Sequence, residues 1–140
     1  MPTSTMPKNI AAQSYMSKAQ IQWFRDRLNE QLSALKRQLV SIKDDISNAP
    51  QEGVDELDRA AVEDEIGKAR ALEIRYSNEV RSYQRALEAM NKGDYGYCAS
   101  TGEEIGLARL QARPDALYCI AAQQRNERHA TQYAPQMAFA

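Results

Sequence analysis

Two stretches of apolar residues, each stepping by three and four, constrain this chain more than anything else in it. Ile21, Phe24, Leu28, Leu32, Leu35, Leu39, Ile42 and Ile46 make the first. Val62, Ile66, Ala69, Leu72, Tyr76, Val80, Tyr83, Leu87 and Met90 make the second. A mean step of about 3.5 draws one apolar stripe along an α-helix and lets two such helices wind together. Ser17 stands ahead of the first run with Gln20 at capping-box spacing. The segment Ser47-Asn48-Ala49-Pro50-Gln51-Glu52-Gly53 divides the runs with residues that break helices. Asn91-Lys92-Gly93 closes the second run, and Asp55 is placed to cap its start. Each helix is expected to span about 30 residues, or about 45 Å. A coiled coil between chains is the competing arrangement. Near-equal runs and a tight connection favour an antiparallel hairpin within one chain, and so a monomer.

Composition agrees with an elongated helical protein. Leu, Ile, Val and Phe together number only 24 of 140 residues, while alanine alone numbers 21. A net charge of −1 argues against disorder in spite of that small apolar share. No window approaches about 18 uninterrupted apolar residues, so no membrane-spanning helix is expected. Met1 to Ile10 lacks the charged and apolar regions of a secretion signal. Two cysteines cannot make a disulfide scaffold, which predicts reduced thiols and a cytoplasmic location.

The near-zero total charge hides segregation. Between residues 52 and 65 stand Glu52, Asp55, Glu56, Asp58, Glu63, Asp64 and Glu65 against Arg59 alone, a sum of −6. The flanking helical runs are mildly basic. First-turn preference for carboxylates accounts for some of these acids. In a hairpin the remainder would gather at the tip, near residues 47–60, with cations along the shaft.

From Asp94 the character changes. Gly93, Gly96, Gly102 and Gly106 crowd into a small turn-rich unit, followed by Pro114. A last helix is expected to start near Pro114 or Asp115 and run to about His129, with residues 133–140 frayed. The organisation expected is therefore an N-terminal segment 1–16 packed on the globular part, a hairpin over 17–92, and a C-terminal unit over 93–140.

Cys98 and Cys119, with Thr101 and Ala122, hold the spacing C-x₂-C-x₁₇-C-x₂-C of a four-thiolate zinc site, but with two positions changed. Structural zinc needs four donors, and alanine supplies none. Around them stand Gly96-Tyr97-Cys98, Gly102-Glu103-Glu104-Ile105-Gly106, Arg109-Leu110, Ala112-Arg113-Pro114 and Cys119-Ile120. These resemble the C-terminal zinc-finger signature of the DksA/TraR family. Asp55-x-x-Asp58-Arg59-Ala60 is similar to that family's coiled-coil tip motif. The resemblance covers residues 20–127, and Thr101 and Ala122 point to its zinc-independent branch.

The resemblance implies a mainly α protein: a long coiled-coil hairpin with a small domain carrying a degenerate zinc-finger-like unit and a C-terminal helix. It implies a transcription regulator that binds bacterial RNA polymerase and not specific DNA sequences. The hairpin would enter the secondary channel and bring Asp55, Asp58, Arg59 and Ala60 near the catalytic centre, altering open-complex stability. The alarmone ppGpp is implied as co-regulator. Arg75 matches one of the family's basic positions for it, whereas Ser82 and Gln123 stand at two others and weaken the contact. No metal is required by this reading, no membrane is involved, and Cys98 and Cys119 are expected close together.

Rival classes leave fewer traces. There is no Gly-rich phosphate loop, and the single His129 has no positioned nucleophile, so catalysis is not expected. Transcript-cleavage factors with acidic tips share the same channel, but Arg59-Ala60 and the cysteine-bearing tail favour the regulator. A structural coiled-coil adaptor is the alternative; it would spread its charges along the helices instead of collecting −6 at one end.

Overall fold

The computed structural model describes residues 5–50 and 55–137, with side chains through residue 132. The described residues form five helices in order: α1 (Lys8–Ala11), α2 (Lys18–Ser47), α3 (Glu56–Lys92), α4 (Leu107–Ala112) and α5 (Ile120–Met137). The described residues contain no strand, only an isolated antiparallel bridge between Tyr97 and Glu104. The fold is mainly α, a long helical coiled coil with a small domain. It divides into two compact units: Leu28–Gln84, and Met1–Arg27 together with Arg85–Ala140.

In the first unit the facing stripes of α2 and α3 form the seam. Leu28, Leu32 and Leu35 are buried, and Leu39, Ile42 and Ile46 are half-buried. From α3 come Val62, Ile66, Ala69, Tyr76, Val80 and Tyr83, all half-buried. Leu72, expected in the seam, lies 40% exposed, and half-buried Glu73 takes its place. Strict alternation of four and three from Val62 lands on position 73, so Leu72 flanks the seam. The stripes are thin, one seam residue every three or four positions, which leaves most of α3 solvated.

The second unit is built on aromatic contacts. Phe24, fully buried, meets Tyr95 at 5.7 Å between ring centres and Trp23 at 5.0 Å. Ala86, Met90, Leu110 and Ala122 are buried with them. Ser17 caps α2, its Oγ accepting from the Gln20 N–H at 3.3 Å. The reciprocal half of the capping box is not made. Gln20 is fully buried, and its Nε2 donates instead to the carbonyls of Ile10 (2.9 Å) and Gln13 (3.2 Å), tying the preceding segment down.

Helix α3 stops in a Schellman motif. Gly93, at φ 80°, donates to Met90 O at 3.2 Å, and Asp94 donates to Ala89 O at 2.8 Å. The last helix departs from expectation. It begins at Ile120, not near Pro114, and runs on to Met137. Short helix α4 had no expected counterpart. Residues 113–119 are a turn, with Ala116 N–H donating to Arg113 O at 3.0 Å and the Pro114 carbonyl accepting from buried Tyr95 Oη at 2.8 Å. Proline suits a first helical turn, but here its carbonyl is engaged by a side chain. Helix α5 continues to residue 137, into the stretch expected to fray; residues 138–140 lie outside the described residues.

Candidate functional site

At the end of the hairpin unit, the Asp55 carbonyl accepts from Arg59 N–H at 2.8 Å, closing the first turn of α3. Asp55 thus holds the capping position. Glu56 and Asp58 occupy the first turn, where the unpaired N–H groups of the helix favour carboxylates. Asp55, Glu56, Asp58, Arg59 and Ala60 are all exposed, and Leu57 among them is 87% exposed. Farther along, Asp64 pairs with Lys68 at 3.2 Å. Glu52 lies outside the described residues. Beside this end is a groove of about 570 Å³, walled by Ile46, Ala49 and Pro50 from one side and Ala61, Val62 and Ile66 from the other. Helix α3 therefore presents a solvated acidic turn next to a small apolar cleft.

The remaining candidates are placed separately. Arg75 is exposed on α3 and makes an ion pair with Glu79 at 3.5 Å. Ser82 lies in the same unit, half-buried. Gln123 belongs to the other unit, where its Nε2 donates to Glu127 Oε1 at 3.1 Å.

The cysteine region forms a tight knuckle. Cys98 N–H donates to Glu103 O at 2.7 Å, Gly102 N–H returns to Cys98 O at 2.9 Å, and Ala99 N–H reaches Leu117 O at 2.8 Å. Cys98 is 3% exposed. Burial alone would push its thiol pKa up. Against it act a hydrogen bond from the Thr101 hydroxyl and the backbone N–H groups of Cys119, Thr101 and Ser100, and the balance lowers the pKa to about 6. Oriented N–H groups around a sulfur are the surroundings that stabilise thiolate charge. The knuckle thus brings Cys98, Thr101 and the Cys119 backbone together. Ala122, one turn into α5, is buried at 2% exposure.

These four positions do not fit a structural zinc ion. Two thiols, one hydroxyl already turned to a sulfur, and one buried methyl cannot close a tetrahedron of thiolate or imidazole donors. Among the described residues no cluster of three or more His, Cys, Asp or Glu could hold a metal.

An attachment whose residues the sequence did not single out sits at the same knuckle. The Tyr15 hydroxyl donates to Gly96 O at 2.5 Å and accepts from Gly106 N–H at 2.9 Å, and its ring meets Tyr97 edge-on at 5.7 Å. Gly96, at φ 91°, permits the close approach of Met16, whose sulfur would lie 2.6 Å from a Cβ there. The signal available in sequence was only an isolated tyrosine ahead of α2.

A helical hairpin with an acidic end, joined in one chain to a knuckle of zinc-finger spacing, defines a recognisable class. Residues 93–128 match the profile of the prokaryotic dksA/traR C4-type zinc finger. The RNA polymerase-binding transcription factor DksA of Caulobacter vibrioides is 36% identical over 121 residues, spanning 81% of this chain and 80% of its own. The protein of that name from Escherichia coli K12 is 34% identical over 112 residues, spanning 77% and 72%. The solved structure of transcription factor DksA2 from Pseudomonas aeruginosa superposes with a TM-score of 0.77 at 33% identity, covering 89% of this chain and 97% of that one. The chain belongs to the DksA/TraR family.

Proposed function

We propose that this protein is a regulator of transcription that binds bacterial RNA polymerase and acts without enzymatic chemistry of its own. The observation that carries the reading is the exposed acidic first turn of α3, with Asp55, Glu56 and Asp58 at the end of a helical hairpin. That it stands in a chain 34–36% identical to polymerase-binding factors supports the partner. In this reading the hairpin enters the secondary channel. Asp55 and Asp58, with Arg59 and Ala60, act near the catalytic centre by competing for basic side chains or metal-bound nucleotide phosphates, and so alter the lifetime of promoter complexes. The protein works in the cytoplasm as a monomer.

Two further parts belong to the proposal. The knuckle folds without zinc, because the hydrogen bonds converging on Cys98 and the burial of Ala122 replace coordination. The alarmone ppGpp acts as a co-regulator held weakly on this chain's side, with Arg75 as its one charged contact and Ser82 and Gln123 uncharged. The test is binding of the purified full chain to RNA polymerase core enzyme, with displacement by another secondary-channel ligand. Stoichiometric, competed binding is expected. No binding, or binding that such a ligand leaves untouched, overturns the reading.

A further inference from the structure

Lys36, Val40 and Lys43 each follow a seam residue of α2 by one position, namely Leu35, Leu39 and Ile42. Arg70, Ile74 and Arg81 likewise follow Ala69, Glu73 and Val80 of α3. One residue turns a side chain by about 100° around a helix axis. In an antiparallel pair that rotation carries the side chains of both helices to the same side of the seam. The groove wall sets Ile46 against Val62 and Ile66, so Val40 and Ile74 stand within about one turn of each other.

Both are β-branched and far from buried, Val40 at 60% exposure and Ile74 at 63%. All four cations around them are exposed, and none has an ion pair among the described residues. Within the hairpin unit, residues 28–84, Glu63, which follows Val62, is the only acid in these two rows among the described residues, and it lies toward the tip. The opposite side of α3 is different. There Lys68 and Arg75 are neutralised within the helix by Asp64 and Glu79. Single exposed aliphatics are ordinary. A pair brought together from two helices inside a ring of unpaired cations is the composition of a docking face.

We infer that this side of the hairpin is a docking face for an acidic protein surface with an apolar centre, and that RNA polymerase carries that surface; the partner's identity rests on the function proposed above. Charge complementarity selects the occupant. A nucleic acid would favour aromatic side chains for stacking and a denser basic track, and this face offers two aliphatics instead. The cations set encounter rate and orientation, while Val40 and Ile74 supply the dry contact that slows release.

The test compares full-length wild type with Val40→Ser/Ile74→Ser, Lys36→Glu/Arg70→Glu and, on the opposite side, Lys68→Glu. Affinity for core polymerase is measured at two salt concentrations, with helix melting in parallel. Each double variant is expected to bind at least tenfold more weakly at unchanged melting temperature, the charge reversal losing most at low salt, while Lys68→Glu stays within about twofold. Wild type that binds, with both double variants binding equally well, overturns the docking face and leaves the function standing. Wild type that does not bind removes the function and this proposal together. Unchanged polymerase affinity with lost binding to a fluorescent DNA duplex overturns it in favour of nucleic acid.

Discussion

Thr101 turns its hydroxyl to the sulfur of Cys98, so the residue standing where the zinc-finger spacing calls for a second thiolate serves the first one instead. With the N–H groups of Ser100, Thr101 and Cys119, it holds the Cys98 pKa at about 6 in spite of burial, against 9.0 ordinarily. A pKa depressed by folding stabilises the folded state fully above the unfolded value, and that contribution is lost as pH falls through the folded one. The melting temperature of wild type should therefore rise between about pH 6 and pH 9 by more than that of Cys98→Ser. In a Cys119→Ser background, ultraviolet titration of the remaining thiolate should show Thr101→Val moving its midpoint upward. An unmoved midpoint would show that the hydroxyl does not stabilise the charge.

Tyr15 gives a second prediction. Tyr15→Phe keeps the ring against Tyr97 but strands Gly106 N–H and leaves Gly96 O with Ile105 N–H as its one backbone donor. Loss of these bonds should cost about 1–3 kcal/mol in chemical denaturation, with the slope against denaturant unchanged.

Leu35 and Leu57 separate seam from surface. Leu35 is 8% exposed and Leu57 87%. Leu35→Asp buries an unpaired charge and should cost at least about 3 kcal/mol, with loss of helical circular dichroism. Leu57→Asp should stay within about 0.5 kcal/mol. Equal effects would place the seam elsewhere.

The heptad runs exposed the hairpin in the sequence because a seam of two helices is a one-dimensional pattern. Its single slip, Leu72, came from following hydrophobicity where the alternation of four and three pointed to Glu73. Ser17 was readable as a cap from its spacing; the inward turn of Gln20 was not, because its acceptors Ile10 and Gln13 belong to a segment without periodicity. Pro114 misled for a related reason. Its helix-starting preference is local, whereas the bond from Tyr95 that occupies its carbonyl is tertiary. Of the candidate site, the acidic tip was legible as charge in one short segment. The unpaired basic face was not, because it appears only when two helices are set antiparallel.

Zinc removal tests the knuckle. Structural zinc normally contributes on the order of 10 kcal/mol to folding, and this chain must do without it if Thr101 and Ala122 stand as described. Protein purified in strong chelator should contain no zinc, melt at the temperature of zinc-supplemented protein, and keep its effect on transcription. Retention of one zinc per chain, or unfolding on chelation, would contradict the account.

The lifetime of open complexes at a ribosomal RNA promoter, measured with wild type and with Asp58→Asn alongside their affinity for polymerase, bears most directly on the central claim. Asp58 is exposed in the first turn of α3, so the amide removes charge and leaves shape and docking intact. Wild type is predicted to shorten the lifetime severalfold, and Asp58→Asn to bind equally well while losing most of that effect. A variant that binds and still shortens the lifetime as wild type does would contradict action through the acidic tip.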